Sequence, residues 1–271
     1  MKYPRHVAAG LLAIGFFIAP LQAKTICTAV ADAKTGDILL QQGNCSERFT
    51  PASTFKVALS VMGFDSGFLM DEHAPTLPFR DGYVDWGGDN WRQPTDAVRW
   101  IKYSVVWFSQ QIAYSLGEQR LNRYASSFGY GNADFSGDPG KDNGLERAWI
   151  GSSLKISPLE QVAFLKKLVN RELPVTSHAL DMTLKIVEKT SLPSGWEVQG
   201  KTGMADPLLA NGVADEDHPY GWFVGWATKG ERKLVFARLI QDDKKESGTA
   251  GVRSRDAFLK ELPSLADSLV R

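Results

Sequence analysis

Stretches in which apolar and polar residues alternate lie near both ends of the chain. Near the N-terminus, Cys27 to Ala31 and Ile38 to Gln42 flank the turn Thr35-Gly36-Asp37. This pattern predicts a β-hairpin in which Gly36 supplies the positive φ of the turn. Further along, three runs rich in β-branched and aromatic residues predict more strands: Trp196 to Gly203, Tyr220 to Thr228 and Lys233 to Ile240.

Helical patterns occupy the middle of the chain. Thr50 followed by Pro51 has the form of a helix start, with Thr50 as the capping residue, and an apolar segment continues to Phe64. A second helix is predicted after Pro158, with an apolar stripe at Leu159, Val162, Ala163, Leu165 and Leu168.

We therefore expect an α/β fold of the α+β type. A central antiparallel sheet would use residues from about 24–48 and 195–241, with a terminal helix near 253–268 in the second sheet segment, about 195–271. A mostly helical region would span about 50–190, and the functional site would lie between the two regions.

The first 23 residues have the composition of a secretory signal peptide. Lys2 and Arg5 precede an apolar run from Val7 to Ile18, and Ala23 marks a cleavage point. We expect export to the periplasm and a single mature domain at residues 24–271, with an uncleaved anchor as the alternative.

Composition and charge narrow the range of partners. The 271 residues are 43% hydrophobic and 23% charged, which suits a globular protein with a substantial core. Without residues 1–23, 29 Lys plus Arg stand against 31 Asp plus Glu, and no basic run argues for nucleic acid. The four histidines are isolated in sequence, so no metal site is expected, and no phosphate-binding glycine loop is present.

The only two cysteines, Cys27 and Cys45, flank the predicted hairpin. A turn near Gly36 places them opposite each other on paired strands, so we predict a disulfide between them. The tripeptide KTG at 34–36 lies at the tip of the same hairpin, where it is interpreted as solvated turn residues.

The second KTG, at Lys201, Thr202 and Gly203, lies on a predicted strand with Lys201 and Gly203 on one face. Glycine within a strand often marks close approach of a ligand to the backbone, and the lysine supplies a cation for an anionic substrate. A purely structural role for this tripeptide is the alternative.

A serine with a lysine three positions later also occurs twice. Ser53 and Lys56 lie on one face of the predicted helix, and Lys56 is the only charge between Ala52 and Phe64. Apolar surroundings favour the neutral amine, which would act as a base that activates Ser53. The alternative is a helix-start serine with a lysine that reaches solvent, which is how we interpret the loop copy at Ser152 and Lys155.

Taken together, several motifs resemble the class D (OXA-type) serine β-lactamases in order and spacing. They are STFK at 53–56, Ser104-Val105-Val106, Tyr130-Gly131-Asn132, Trp149 and KTG at 201–203. The resemblance implies a β-lactamase/transpeptidase-like fold and hydrolysis of penicillins, extending to oxacillin-type compounds and some cephalosporins, with small-molecule β-lactams as the partners. Monomer and homodimer stay open.

The resemblance also implies roles for individual residues. Ser53 would form the acyl-enzyme, with the N–H groups of Ser53 and Met204 as the oxyanion hole. Lys56 would be carboxylated on Nζ by carbon dioxide, the only cofactor-like requirement, and would act as general base. Trp149 would donate a hydrogen bond to the carbamate, and Val106 would form part of its apolar wall; ordinary core positions are the alternatives for both.

Two further roles concern the leaving group and the substrate carboxylate. Ser104 would relay a proton to the lactam nitrogen, with a helix-end hydroxyl as the alternative. Lys201, Thr202 and Arg253 would bind the carboxylate, with Arg255 as an alternative to Arg253. Tyr130-Gly131-Asn132 is interpreted as structural.

The sequence departs from the family pattern in the absence of a helix before the first strand, in Ile150 after Trp149, and in the long connection from Met204 to Pro219. We expect this connection to border the site and to influence substrate preference. Two other functions stay open: a penicillin-binding peptidase or transpeptidase, and a β-lactam sensor that is acylated without turnover.

Overall fold

The computed structural model describes residues 23–209 and 211–269, and the predicted signal peptide lies outside them except for Ala23. The strands are β1 (Lys24–Asp32), β2 (Ile38–Gly43), β3 (Lys189–Ser191), β4 (Glu197–Ala205), β5 (Tyr220–Lys229) and β6 (Arg232–Gln241). The helices are α1 (Phe55–Asp65), α2 (Ala97–Tyr103), α3 (Val106–Phe128), α4 (Gly144–Arg147), α5 (Pro158–Val169), α6 (Ser177–Ile186) and α7 (Ala250–Ser268).

The six strands form one antiparallel sheet in the order β2-β1-β6-β5-β4-β3. Both ends of the chain therefore contribute to the sheet, as the alternation predicts. Strand β3 was not predicted and falls within the stretch expected to be helical, because three exposed residues are too few to show a period of two.

The sheet is covered on both faces, which gives two apolar clusters. The larger cluster joins one face to α1, α3, α5 and α6, while α7 packs on the other face. On the α7 side, the rings of Phe236 and Phe258 stack with centroids 4.2 Å apart. The site described below lies at the edge of the larger cluster, where β4 meets the start of α1.

The predicted hairpin is present, and Gly36 has φ of +84° at its tip. The disulfide between Cys27 and Cys45 is also present. The predicted register is wrong, however: Cys27 lies opposite Gly43, and Cys45 lies beyond the end of β2. Asn44 donates its backbone N–H to Ile26, which carries the chain back toward β1 and brings the two sulfurs together.

The region between the sheet segments is less helical than predicted. Residues 66–96 contain only one short 3₁₀ helix, Gly88–Asn90, and are held mainly by turns. In α5, Ala163 is exposed and Phe164 is buried, so the apolar stripe is displaced from the predicted one. Helix α3 has a break at Gly117, whose φ is +73°.

Candidate active site

Ser53 lies in a one-turn 3₁₀ helix, Ala52–Thr54, that leads directly into α1. The preceding residue, Ala52, has φ of +48°, a left-handed conformation that is uncommon for any residue other than glycine. Backbone strain of this kind costs on the order of 1–3 kcal/mol and is concentrated at functional sites. The strained turn fixes the direction in which the Ser53 hydroxyl leaves the chain.

The predicted capping role of Thr50 is wrong. The Thr50 hydroxyl donates to the carbonyl of Trp149 at 2.9 Å and accepts from the N–H of Gly151 at 3.0 Å. The segment that precedes Ser53 is therefore fastened to the loop that carries Trp149. Local sequence could not reveal this contact, because the two segments are about a hundred residues apart.

Lys56 is completely buried, and its Nζ lies 3.2 Å from Ser53 Oγ. No carboxylate in the described part of the chain forms an ion pair with it. Burial, together with the charge of Lys201, lowers the pKa of Lys56 well below its usual value. A neutral amine next to a hydroxyl can accept its proton, so this pair fits an activated nucleophile.

Trp149 and Val106 belong to the apolar surroundings of this pair. Both side chains are buried, and the Trp149 ring packs against Phe55 with centroids 5.4 Å apart. The indole N–H of Trp149 is buried and has no hydrogen-bond partner among the described residues. Such orphaned donors are rare in native interiors, and this one fits an anionic acceptor.

Ser104 lies between α2 and α3 in a left-handed conformation, with φ of +58°. The next residue, Val105, is extended, and α3 then begins at Val106. This arrangement holds the Ser104 side chain outside both helices. Ser104 is therefore at a helix end, as in the alternative interpretation, and it also lines the cleft described below.

Strand β4 forms the opposite side of the site. Lys201 and Gly203 share the buried face, as predicted, and a Cβ at Gly203 would lie 3.0 Å from the carbonyl oxygen of Pro51. On the helix side, a Cβ at Gly251 would lie 2.6 Å from the carbonyl oxygen of Gly203. The two glycines let β4 approach the Ser53 turn and the first turn of α7.

Lys201 is 4% exposed, and its ammonium donates to the carbonyl of Thr202 at 3.1 Å. Burial lowers its pKa to about 8, while Glu188 raises it and Arg255 lowers it to a smaller extent. The ammonium form therefore predominates at neutral pH, on the same strand that would bind an anionic group.

A cleft of about 350 Å³ brings most of the predicted residues together. Its lining includes Ser53, Ser104, Val106, Trp149, Thr202, Gly203 and Met204. The Lys56 amine lies behind Ser53, within hydrogen-bond distance of its hydroxyl. The volume is within the range of small-molecule sites.

Arg253 is not part of this lining, which differs from the prediction; the buried Lys201 is also outside it, next in the chain to the lining residue Thr202. Its guanidinium forms two hydrogen bonds with the carboxylate of Asp242, whose side chain is 1% exposed, and a third to the carbonyl of Ser247 at 2.6 Å. A buried carboxylate requires such a partner. Arg255 lines a separate recess of about 110 Å³ that shares Thr202 with the cleft.

The sequence interpretation missed several residues of the lining. They are Ala52, Trp86, Gly87, Trp91, Tyr103 and Thr249, whereas Ile150, which also lines the cleft, was noted from the sequence. The indole of Trp91 donates to the carbonyl of Tyr103 at 2.8 Å, which fixes one wall. The density of aromatic residues between Tyr83 and Trp91, within a polar segment, was the available signal.

The triplet Tyr130-Gly131-Asn132 braces a neighbouring loop. Asn132 accepts from the N–H of Lys155 at 2.9 Å and donates to the carbonyl of Ser153 at 2.8 Å. Lys155 itself is exposed. These contacts are consistent with a structural role for the triplet.

The described residues offer neither a metal site nor a membrane-spanning helix. Within residues 23–209 and 211–269, no group of three or more His, Cys, Asp and Glu side chains is placed to hold a metal ion. None of the helices in the same residues is both long and apolar enough to cross a membrane.

Comparisons with known proteins were made for sequence and for structure. The family described as "Penicillin binding protein transpeptidase domain" matches residues 26–263. Beta-lactamase OXA-9 of Klebsiella pneumoniae is 43% identical over 239 residues, which cover 88% of this chain and 87% of OXA-9.

Two more similar proteins are a solved structure and a regulatory protein. The crystal structure of OXA-427, described as a class D beta-lactamase, superposes with a TM-score of 0.84 at 44% identity, covering 90% of this chain and 99% of that one. Regulatory protein BlaR1 of Bacillus licheniformis is 31% identical over 210 residues, which cover 76% of this chain and 31% of BlaR1.

Proposed function

This chain belongs to the class D (OXA-type) β-lactamase family, and on that premise we propose that it hydrolyses β-lactam antibiotics through acylation of Ser53. The observation that carries the proposal is the buried Lys56 amine, 3.2 Å from the Ser53 hydroxyl and lowered in pKa. Penicillins are the proposed core substrates, with oxacillin-type compounds and some cephalosporins as extensions.

The residues of the cleft support a specific division of roles. The Lys56 side chain accepts the Ser53 proton while Oγ attacks the lactam carbonyl, and the N–H groups of Ser53 and Met204 stabilise the oxyanion. Ser104 delivers a proton to the lactam nitrogen as the C–N bond breaks. Lys201 and Thr202 hold the substrate carboxylate.

The surroundings of Lys56 also fit a carboxylated side chain. Only a neutral amine adds to carbon dioxide, and burial favours that form. The orphaned Trp149 N–H and the apolar Val106 suit an anionic group on Nζ. When bound, the carbamate would supply a general base for acylation and for the water that deacylates the enzyme.

The second candidate is the sensor that is acylated without turnover, and the similarity to the regulatory protein BlaR1 favours it over the peptidase. The rate of deacylation separates the candidates. Purified residues 24–271 should be mixed with a chromogenic β-lactam, with and without bicarbonate, and the protein mass should be followed in parallel.

Sustained turnover that increases with bicarbonate and is absent in Ser53→Ala would support the hydrolase and the carboxylated lysine together. A stoichiometric acyl adduct without turnover at saturating bicarbonate would instead support a receptor or a peptidase. Turnover that does not depend on bicarbonate would support the hydrolase and contradict the carbamate as its general base.

We further propose that residues 1–23 direct export to the periplasm and are removed there. The disulfide between Cys27 and Cys45 supports an oxidising compartment. Expression of the whole chain in a Gram-negative host, followed by N-terminal sequencing of the periplasmic protein, tests this directly. A protein that retains Met1 and stays with the membrane fraction would indicate an anchor.

A further inference from the structure

A second cavity in the described part of the chain is not used by this mechanism. It has a volume of about 690 Å³, roughly twice that of the cleft, and lies beside it. The two linings come within two residues of each other in the chain at three places. Thr50 lines the outer cavity and Ala52 the cleft; Gly151 and Ile150, and Asp206 and Met204, are divided in the same way.

The orientation of the substrate indicates which of its groups faces this outer cavity. The attacked carbonyl carbon carries the lactam nitrogen on one side and the ring carbon that bears the acylamino side chain on the other. In the proposed mechanism Ser104 protonates the lactam nitrogen, and it lines the cleft but not the outer cavity. A side chain directed away from Ser104, between Ile150 and Met204, would enter the outer cavity.

The charges of the outer cavity favour one class of side chain. Its two cations are Arg48, which is paired with Glu160, and the exposed Lys155. Asp206 is half-buried and lies two residues beyond the oxyanion-hole residue Met204. No described residue donates a hydrogen bond to its carboxylate, so that an amine arriving from the cleft would meet an available partner.

Burial and three charged groups act on the Asp206 carboxylate. Burial raises its pKa, and the nearby Glu216 and Asp215 act in the same direction, opposed by Lys245. An ammonium group next to Asp206 would favour the ionised carboxylate and reverse this effect.

We propose, building on the proposed function, that the outer cavity is a subsite for the acylamino side chain, and that Asp206 selects side chains that carry a protonated amine. The test compares benzylpenicillin with its α-amino derivative, which differs only by that amine. The measured quantity is the second-order rate constant of acylation for each compound, obtained by mass spectrometry or from kcat/KM.

The variant Asp206→Asn is expected to lower the rate ratio of amino to non-amino substrate by about threefold to fivefold, the range of a partly exposed ion pair. Asp217→Asn is the matched control, since Asp217 is exposed in the same loop but does not line the cavity. Its ratio should equal that of the parent protein.

A second variant tests whether the outer cavity provides room for the acylamino side chain, independently of the Asp206 charge. Ser136 lines the cavity, and its side chain is exposed, so Ser136→Trp should fill part of it. Acylation by benzylpenicillin should slow relative to 6-aminopenicillanic acid, which lacks the acyl side chain.

An unchanged ratio in Asp206→Asn overturns the charge selection, and an unchanged preference in Ser136→Trp overturns the subsite. Both readouts use acylation, so a protein that is acylated without turnover still tests the inference while contradicting the hydrolase. Absence of acylation by any β-lactam would overturn the proposed function and this inference together.

Discussion

Replacing Trp149 with phenylalanine isolates the one hydrogen bond that the proposed carbamate would receive from the indole. The substitution removes the N–H and keeps an aromatic ring against Phe55. In the protein without carbon dioxide this N–H has no partner among the described residues. The loss of the hydrogen bond therefore affects only the carboxylated form.

The size of the effect follows from the charge of the acceptor. A hydrogen bond to a charged group contributes about 1.5–3 kcal/mol, and each 1.4 kcal/mol corresponds to about tenfold in an equilibrium constant. Trp149→Phe should therefore raise the bicarbonate concentration needed for half-maximal activity by roughly 10-fold to 150-fold.

Trp196 provides a matched control in the same chain. It is also fully buried with an unpartnered indole N–H, but it belongs to the cluster on the α7 side of the sheet. Trp196→Phe should lose a similar amount of packing and leave the bicarbonate dependence unchanged.

The assay follows hydrolysis of a chromogenic β-lactam during a bicarbonate titration. In parallel, the carbamate carbon is observed by ¹³C NMR in labelled bicarbonate, which gives a readout independent of turnover. If the half-saturating bicarbonate concentration of Trp149→Phe stays within about twofold of the parent value, the indole does not hold the carbamate, and our assignment of the orphaned donor is refuted.

Three other predictions follow from the buried charges. kcat/KM for penicillins should fall above pH about 8, where Lys201 loses its ammonium, and Lys201→Arg should move this limb of the pH profile to higher pH. In bicarbonate-free buffer, Lys56→Met should raise the free energy of unfolding at pH 7 by roughly 1–3 kcal/mol. The gain should shrink as the pH rises toward 10.5. Over that interval the unfolded chain binds the Lys56 proton more strongly than the native protein does, so the stability of the parent protein increases with pH. A gain that grows with pH in denaturant titrations would contradict this. Arg253→Met should leave Asp242 buried without its partner and cost about 1–3 kcal/mol of stability, whereas a large rise in KM with unchanged unfolding would restore Arg253 as a direct carboxylate ligand.

The local patterns predict the elements that carry the chemistry. Ser53 and Lys56 are three residues apart in a turn that runs into a helix, so sequence spacing alone brings them within 3.2 Å. Likewise, the alternation in β4 places Lys201 and Gly203 on one buried face.

The errors concern contacts between distant segments. Arg253 pairs with Asp242 because the fold buries that carboxylate, and no local pattern indicates which of several acids becomes buried. Thr50 is adjacent to a helix start but bonds to Trp149 across the fold. In the hairpin, a register shift between Val30 and Ala31 cannot be deduced from alternation.

The two glycine contacts at β4 have a consequence for how such an enzyme can diversify. Gly203 lies against the Ser53 turn, where a Cβ would meet three atoms at 3.0–3.1 Å, and Gly251 of α7 lies against the backbone of Gly203, where a Cβ would lie 2.6 Å from the carbonyl oxygen. Random substitution at this strand would displace the Met204 N–H and is expected to be purged by selection. Inherited changes in antibiotic spectrum should therefore accumulate in the irregular segment at 66–96, which supplies Trp86, Gly87 and Trp91 to the cleft, and at residues 206–208, which line the outer cavity.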